Sequence, residues 1–272
     1  MTNKLQKKQS SNSGFTLIEL SIVLIIIGLI VGGVLFGQDL IKASEIRGAV
    51  SQKEKYDAAV NAFRGKYSGL PGDLGSYATF SGQLTTTGLD GTNGFGDGDN
   101  LVEGIGGTGT DNIGFVGEIK LFWKHLSEAQ MISDNTSLIT TAAAATIATN
   151  AQNYLPLSKL GKGSFWYIAN AGGLNYYGMA GISTLATATS MNVASTDVIS
   201  PNEAYQLDVK LDDGIPISGI VTSIASITTL DTSPAGGATS GDCYDTDTNL
   251  YAIAATAEVN APTCVLRIRA SF

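Results

Sequence analysis

The chain has 272 residues and a net charge of −8, from 24 acidic and 16 basic side chains, with 15% of residues charged. This acidic balance argues against nucleic-acid binding through bulk electrostatics, and the length suits one anchor plus one sizeable globular domain. One histidine and two cysteines argue against a Cys/His zinc site, and abundant Gly, Thr and Ala suit strands, turns and polar loops.

A polar leader, Met1 to Ser13, carries Lys4, Lys7 and Lys8 and no acidic residue. Gly14-Phe15-Thr16-Leu17-Ile18-Glu19-Leu20 follows and continues apolar to Phe36. The twenty-two residues from Phe15 to Phe36 are enough for one membrane span. Lysines on the leader side and a mixed flank after Gly37 place the leader in the cytoplasm and the rest outside it. Gly28-Xaa3-Gly32 and Gly33-Xaa3-Gly37 have the spacing of close helix packing in membranes. An acid inside such a run costs about 2.5–3.5 kcal/mol at a helix centre on insertion scales, and so points to function. Glu19 has no partner in its own helix and therefore needs one elsewhere. A secretory signal peptide fits poorly, because Gly37-Gln38-Asp39-Leu40 supplies no small-residue cleavage site.

These residues resemble the N-terminal cleavage and methylation signature of type IV prepilins and type II secretion pseudopilins. The resemblance implies that a membrane prepilin peptidase cuts between Gly14 and Phe15 and methylates the new N-terminal amine of Phe15. It also implies that the Glu19 carboxylate neutralises the N-terminal amine of a neighbouring subunit during assembly. Opposite charges attract strongly in a low-dielectric core, and either one left alone is penalised. Loss of the three leader lysines would take the net charge from −8 to −11. Many relatives carry a proline where this chain has Phe36, so the glycines are the candidates for any break in the helix. The implied partners are the peptidase, other pilin or pseudopilin subunits and an inner-membrane assembly platform, with no nucleic acid. The implied location is a bacterial inner membrane, single-pass, with the N-terminus cytoplasmic and the C-terminal domain periplasmic, and then the filament.

The expected division is a cleaved leader over 1–14, an assembly segment over 15–37, a periplasmic half-helix over 38–68 and a globular domain over 69–272. Ile46, Ala49, Val50, Tyr56, Val60, Phe63 and Tyr67 trace one apolar stripe, interrupted by Lys53. Gly69-Leu70-Pro71-Gly72-Asp73 then ends the helix. Residues 76–117 read as an extended loop, and 117–132 return to helical spacing, with Ile119, Phe122, Leu126 and Ala129 on one face. His125 reads as a partly exposed helical residue without a nucleophile to serve. Residues 133–161, rich in Ala and Thr, read as a surface excursion.

Ser164–Ala169 and Asn175–Ala180 read as two strands joined through Asn170-Ala171-Gly172-Gly173. Ser200-Pro201-Asn202-Glu203 is a capping box that opens a helix to Leu211. Further strands are expected over 217–224, 250–255 and 264–270. The stretch 207–219 resembles a recurrent segment of one pseudopilin-like subgroup. Outside the inner membrane the compartment is oxidising, so Cys243 and Cys264 are expected to form a disulfide, the alternative being two buried thiols. The implied fold is α+β: a long N-terminal helix against an antiparallel sheet, with a disulfide-pinned C-terminal region.

Two acidic sets offer oxygens to a structural calcium ion: Asp90, Asn93, Asp97 and Asp99, with Glu103 beyond them, and Asp242, Asp245 and Asp247 beside Cys243. Neither matches an EF-hand, and both also read as solvated turns. Some pseudopilins carry calcium in a C-terminal loop, which does not transfer residue by residue to this chain. No nucleophile–base–orienter set, phosphate-binding loop or zinc spacing points to an enzyme. Two functions follow: a structural subunit of a pilus or pseudopilus, or a minor pilin whose loops 76–117 and 133–161 recognise a surface, a secreted substrate or DNA, the last disfavoured by the acidic balance.

Overall fold

The computed structural model describes residues 14, 16–75, 84, 96–104, 117–134, 151–185, 191–193, 199–224, 243–245, 247–253 and 264–272. Helix α1 spans Leu17–Tyr67 without interruption, including at the glycines of its first half. Contacts divide the chain into two units, Met1–Ser44 and Glu45–Phe272. In the first unit the apolar run is exposed throughout: Leu17 is 89% exposed and Phe36 68%. This helix is long and apolar enough to cross a membrane.

From Glu45 onward the same helix follows the expected stripe. Ile46, Ala49, Tyr56, Val60, Phe63 and Tyr67 are buried, and Val50 is partly buried against the core. Lys53 lays its stem along the core edge and reaches Asp57, Nζ to Oδ2 2.6 Å. Gln52 also lies on the buried face. Its Nε2 donates to Tyr56 Oη and Leu157 O, both at 2.8 Å, and its Oε1 accepts from Lys159 N and Trp166 Nε1, both at 2.9 Å. All four bonding positions of the amide are used. The helix stops at Tyr67, and Ser68 takes the left-handed backbone conformation common just past a helix end.

Helix α2, Gly117–Glu128, buries Ile119, Phe122, Trp123 and Leu126 on the expected face. It is shorter than the spacing suggested, and Ala129 packs partly buried beyond its end. His125 is buried rather than partly exposed, because its Nδ1 accepts the Gly72 N–H at 3.0 Å and its ring stacks on Phe63. Strands β1, Ser164–Ala171, and β2, Leu174–Leu185, form a hairpin longer than the sequence suggested. Gly172 and Gly173 both have positive φ, the requirement of a tight two-residue turn.

Strand β3, Met191–Val193, pairs with the far end of β2. Helix α3, Pro201–Leu211, carries the expected capping box at Ser200 and Glu203, with Pro201 in its first turn. Strand β4, Val221–Ile224, is shorter than expected because 215–220 forms turns. Strands β5, Tyr244–Asp245, and β6, Leu250–Tyr251, make a small hairpin, and β7 spans Val265–Arg269. The main sheet has the order β1-β2-β7-β4, all antiparallel, so the last strand of the chain lies inside it. Its aromatic core gathers Tyr56 of α1, Trp123 of α2, Trp166 of β1 and Tyr177 of β2, with Tyr56 and Trp123 centroids 4.8 Å apart. The fold is thus the expected α+β arrangement, a long helix followed by an antiparallel sheet domain.

Candidate functional site

The N-terminal segment comes first. Gly14 is exposed, and Phe15 lies outside the described residues. Thr16 stands at the start of α1 and Glu19 three residues on. Thr16 N and Thr16 Oγ1 both donate to Glu19 Oε2 at 2.8 Å, and Glu19 N donates back to Thr16 Oγ1 at 3.3 Å. This is a reciprocal cap of the kind that satisfies two free N–H groups at a helix start.

The sequence reading that Glu19 has no partner in its own helix is therefore corrected. Thr16-Xaa2-Glu19 is a capping spacing that could have been recognised. Thr16 is neutral, however, so its hydrogen bonds orient the carboxylate without compensating its charge. Among the described residues, no cation pairs with Glu19.

A second feature gathers carboxylates. Asp73, Asp97 and Glu118 place oxygens within 4.8 Å of one another. Asp73 follows the helix-ending turn, Asp97 lies in the glycine-rich loop, and Glu118 opens α2. Asp73 Oδ1 accepts Gly98 N at 2.6 Å and its Oδ2 accepts Asn100 N at 2.7 Å. Glu118 Oε2 accepts Glu103 N at 2.8 Å. Gly96 makes the approach possible, since a Cβ there would fall 2.1 Å from Asp73 Cα.

Burial pushes the Asp73 carboxyl up to about 6, and the neighbouring Asp99 and Asp97 reinforce the shift. Burial likewise raises Glu118 to about 8, with Asp73, Asp97 and Glu103 adding repulsion. Of the first acidic set, Asp97 joins this cluster. Asp99 accepts Leu101 N at 2.8 Å, and Asp90 and Asn93 lie outside the described residues. Asp73 and Glu118 were missed as oxygen donors because one reads as a helix stop and the other as a favourable first-turn acid.

In the second acidic set, Asp245 Oδ1 accepts Asp247 N at 2.8 Å within one turn, and Asp242 lies outside the described residues. Among the described residues, Asp245 and Asp247 do not join a third metal-ligating side chain. A different trio, Asp208, Asp212 and Asp213, closes α3. Asp208 accepts Tyr251 Oη at 2.9 Å and Gly214 N at 3.1 Å, and burial raises it to about 6. The expected disulfide joins Cys243 to Cys264, with Cα atoms 4.8 Å apart.

The family described as "Prokaryotic N-terminal methylation motif" matches residues 9–35. The chain carries the type IV prepilin and pseudopilin signature. That match takes in Gly14, Phe15 and Glu19 and stops before the second unit. No match was found among curated proteins or solved structures. A pilin-type N-terminus and one exposed apolar helix together suit an anchor in the inner membrane. The prepilin signature also implies processing by a peptidase and assembly with other pilin-type subunits.

Proposed function

We propose that this chain is a structural subunit of a type IV pilus or a type II secretion pseudopilus. The peptidase cuts after Gly14 and methylates Phe15, the first half of α1 holds the product in the inner membrane, and an assembly platform polymerises it through that helix. In the filament, the Glu19 carboxylate neutralises the N-terminal amine of a neighbouring subunit. One observation carries this reading: an oriented but uncompensated acid stands in the first turn of α1, whose apolar first half is exposed. Such a surface and such a charge are both costly until another subunit covers them.

Glu19→Ala separates processing from assembly. Leader cleavage, read as a mobility shift, should stay intact, while recovery of the chain in sheared filaments should fall by about tenfold or more, the equivalent of about 1.4 kcal/mol of lost pairing. Normal incorporation of the variant would refute the role given to Glu19.

The proposal includes a structural calcium ion held by Asp73, Asp97 and Glu118. The donor set fits, since hard carboxylate oxygens converge from three segments, and the mutual repulsion that adds to the effect of burial on Asp73 and Glu118 would be relieved by a divalent cation. Calcium is then expected to raise the melting temperature of the chain and EDTA to lower it again. Superimposable melting curves would remove the ion from the proposal.

A further inference from the structure

The second unit carries a groove of about 970 Å³ beside α1. Its floor is one helix face, Ser51, Lys55, Ala58 and Ala62, all exposed and spaced alternately four and three apart. Ser51, Ala58 and Ala62 are small and leave room for another element to approach closely beside Lys55. Met131, Ile132 and the 46% exposed Leu157 form apolar walls. Lys55 and Lys159 are exposed at the groove, with Asp134 the opposing charge.

Elsewhere on the same unit stands a ridge of the complementary kind. Tyr205 and Val209 project one turn apart from α3, 37% and 49% exposed, and Leu250 of β6 is 56% exposed. The Tyr205 and Tyr251 rings meet edge to face at 6.1 Å, which joins α3 to the β5–β6 hairpin. Exposed Asp213, Asp245 and Asp247 border the ridge, and among the described residues of α3 and the hairpin the exposed lysine is Lys210. The ridge is held in shape before any partner arrives. The Cys243–Cys264 disulfide pins the base of the hairpin, Ala252 N donates to Cys243 O at 3.1 Å, and Tyr251 Oη is fixed on Asp208. Pre-organisation of this sort lowers the entropic cost of docking.

We infer that the α3–β6 ridge of one copy of this chain docks into the α1 groove of a second copy. The charges match in sign, lysines in the groove and aspartates on the ridge, and both surfaces present apolar centres. Groove and ridge are different patches, so the contact is heterologous. Repeated from copy to copy, such a contact adds subunits head to tail instead of closing a symmetric dimer, and builds an open helical array when the rotation between copies does not close a ring. This inference rests on the proposed polymerising function and supplies it with a contact between the external domains.

The test uses the full chain in cells that assemble the filament, with Val209→benzoylphenylalanine as a photo-crosslinker and Leu250→benzoylphenylalanine as a second position. Illumination should give a ladder of covalent oligomers in which the probe is joined to a peptide from 48–62 or 131–134 of another copy. Lys55→Glu with Lys159→Glu should cut the crosslink yield about tenfold, because like charges then face each other. Asp213→Lys with Asp245→Lys should restore it. Filaments that contain the chain while both probes join another protein, another surface or nothing would overturn this inference and leave the proposed function standing. A wild-type chain absent from filaments altogether would overturn both.

Discussion

The two ends of helix α1 follow opposite rules. From Leu17 to Phe36 its apolar side chains face outward, and the acid among them is held only by a neutral threonine. From Ile46 to Tyr67 its large apolar side chains pack into the core, and even the polar Gln52 and Lys53 on that face have partners. One helix thus carries a half that is exposed and a half that packs into its own domain. Burial of apolar surface is the main driving force of folding and association alike. The first half is therefore an exposed apolar surface that suits a membrane, and the second is part of the core of its own domain.

The contrast breaks most sharply by truncating one side chain in each half. Phe63→Ala removes a fully buried ring that packs on Tyr67 and His125. It should cost about 3–5 kcal/mol, read from denaturant unfolding of the full chain in detergent. Ile26→Ala, at a 51% exposed position of the first half, should move the same unfolding curve by less than about 0.5 kcal/mol. Comparable losses from both substitutions would mean that the two halves are not distinct in the way described.

A smaller effect sharpens the same point with a polar residue. Gln52→Ala should cost about 2–3 kcal/mol, because Trp166 Nε1 and Lys159 N lose their acceptor in a buried place. An exposed glutamine elsewhere on a helix would cost almost nothing. If the Gln52 variant unfolds like the unmodified chain, the amide is not the strut that its four bonds suggest.

These residues also show what could be read in advance. The capping box at Ser200, the glycine turn after β1 and the helix stop at Gly69-Leu70-Pro71 were legible because each completes its chemistry within a few neighbouring residues. The apolar stripe of α1 was legible because one face repeats for six turns. Gln52 was not, since a polar residue on a stripe reads as an interruption until its partners at 157, 159 and 166 are known. Nor was the sheet order, because β7 inserts beside β2 through pairings between distant segments. The carboxylate cluster failed for the same reason. Asp73, Asp97 and Glu118 are far apart in the chain, and the close approach of Gly96 to Asp73 is what brings them together.

That cluster is where the second unit departs from its own rule, since it crowds like charges instead of pairing opposite ones. Asp73 and Asp208 titrate near 6 and Glu118 near 8 in the folded chain, against ordinary values of 3.8 and 4.5. The unfolded chain has released these protons while the folded chain retains them, between about pH 4 and pH 6 at Asp73 and Asp208 and between about pH 4.5 and pH 8 at Glu118. The folded state thus binds more protons across those windows, and stability must fall as pH rises through them.

Glu203 acts in the opposite sense. Burial alone would raise it, but the Lys162 ammonium and the Ser200 donors outweigh that and hold it below its ordinary value. Its contribution is present above the unfolded pKa and is lost as pH falls through the folded one. The unfolding midpoint of the full chain, measured without calcium, should therefore be highest in mildly acidic buffer and decline toward pH 8. Glu118→Gln keeps an acceptor for Glu103 N and removes the charge, so it should flatten the upper part of that decline and stabilise the chain at pH 8. A variant that declines as steeply as the unmodified chain would show that Glu118 does not carry the crowding.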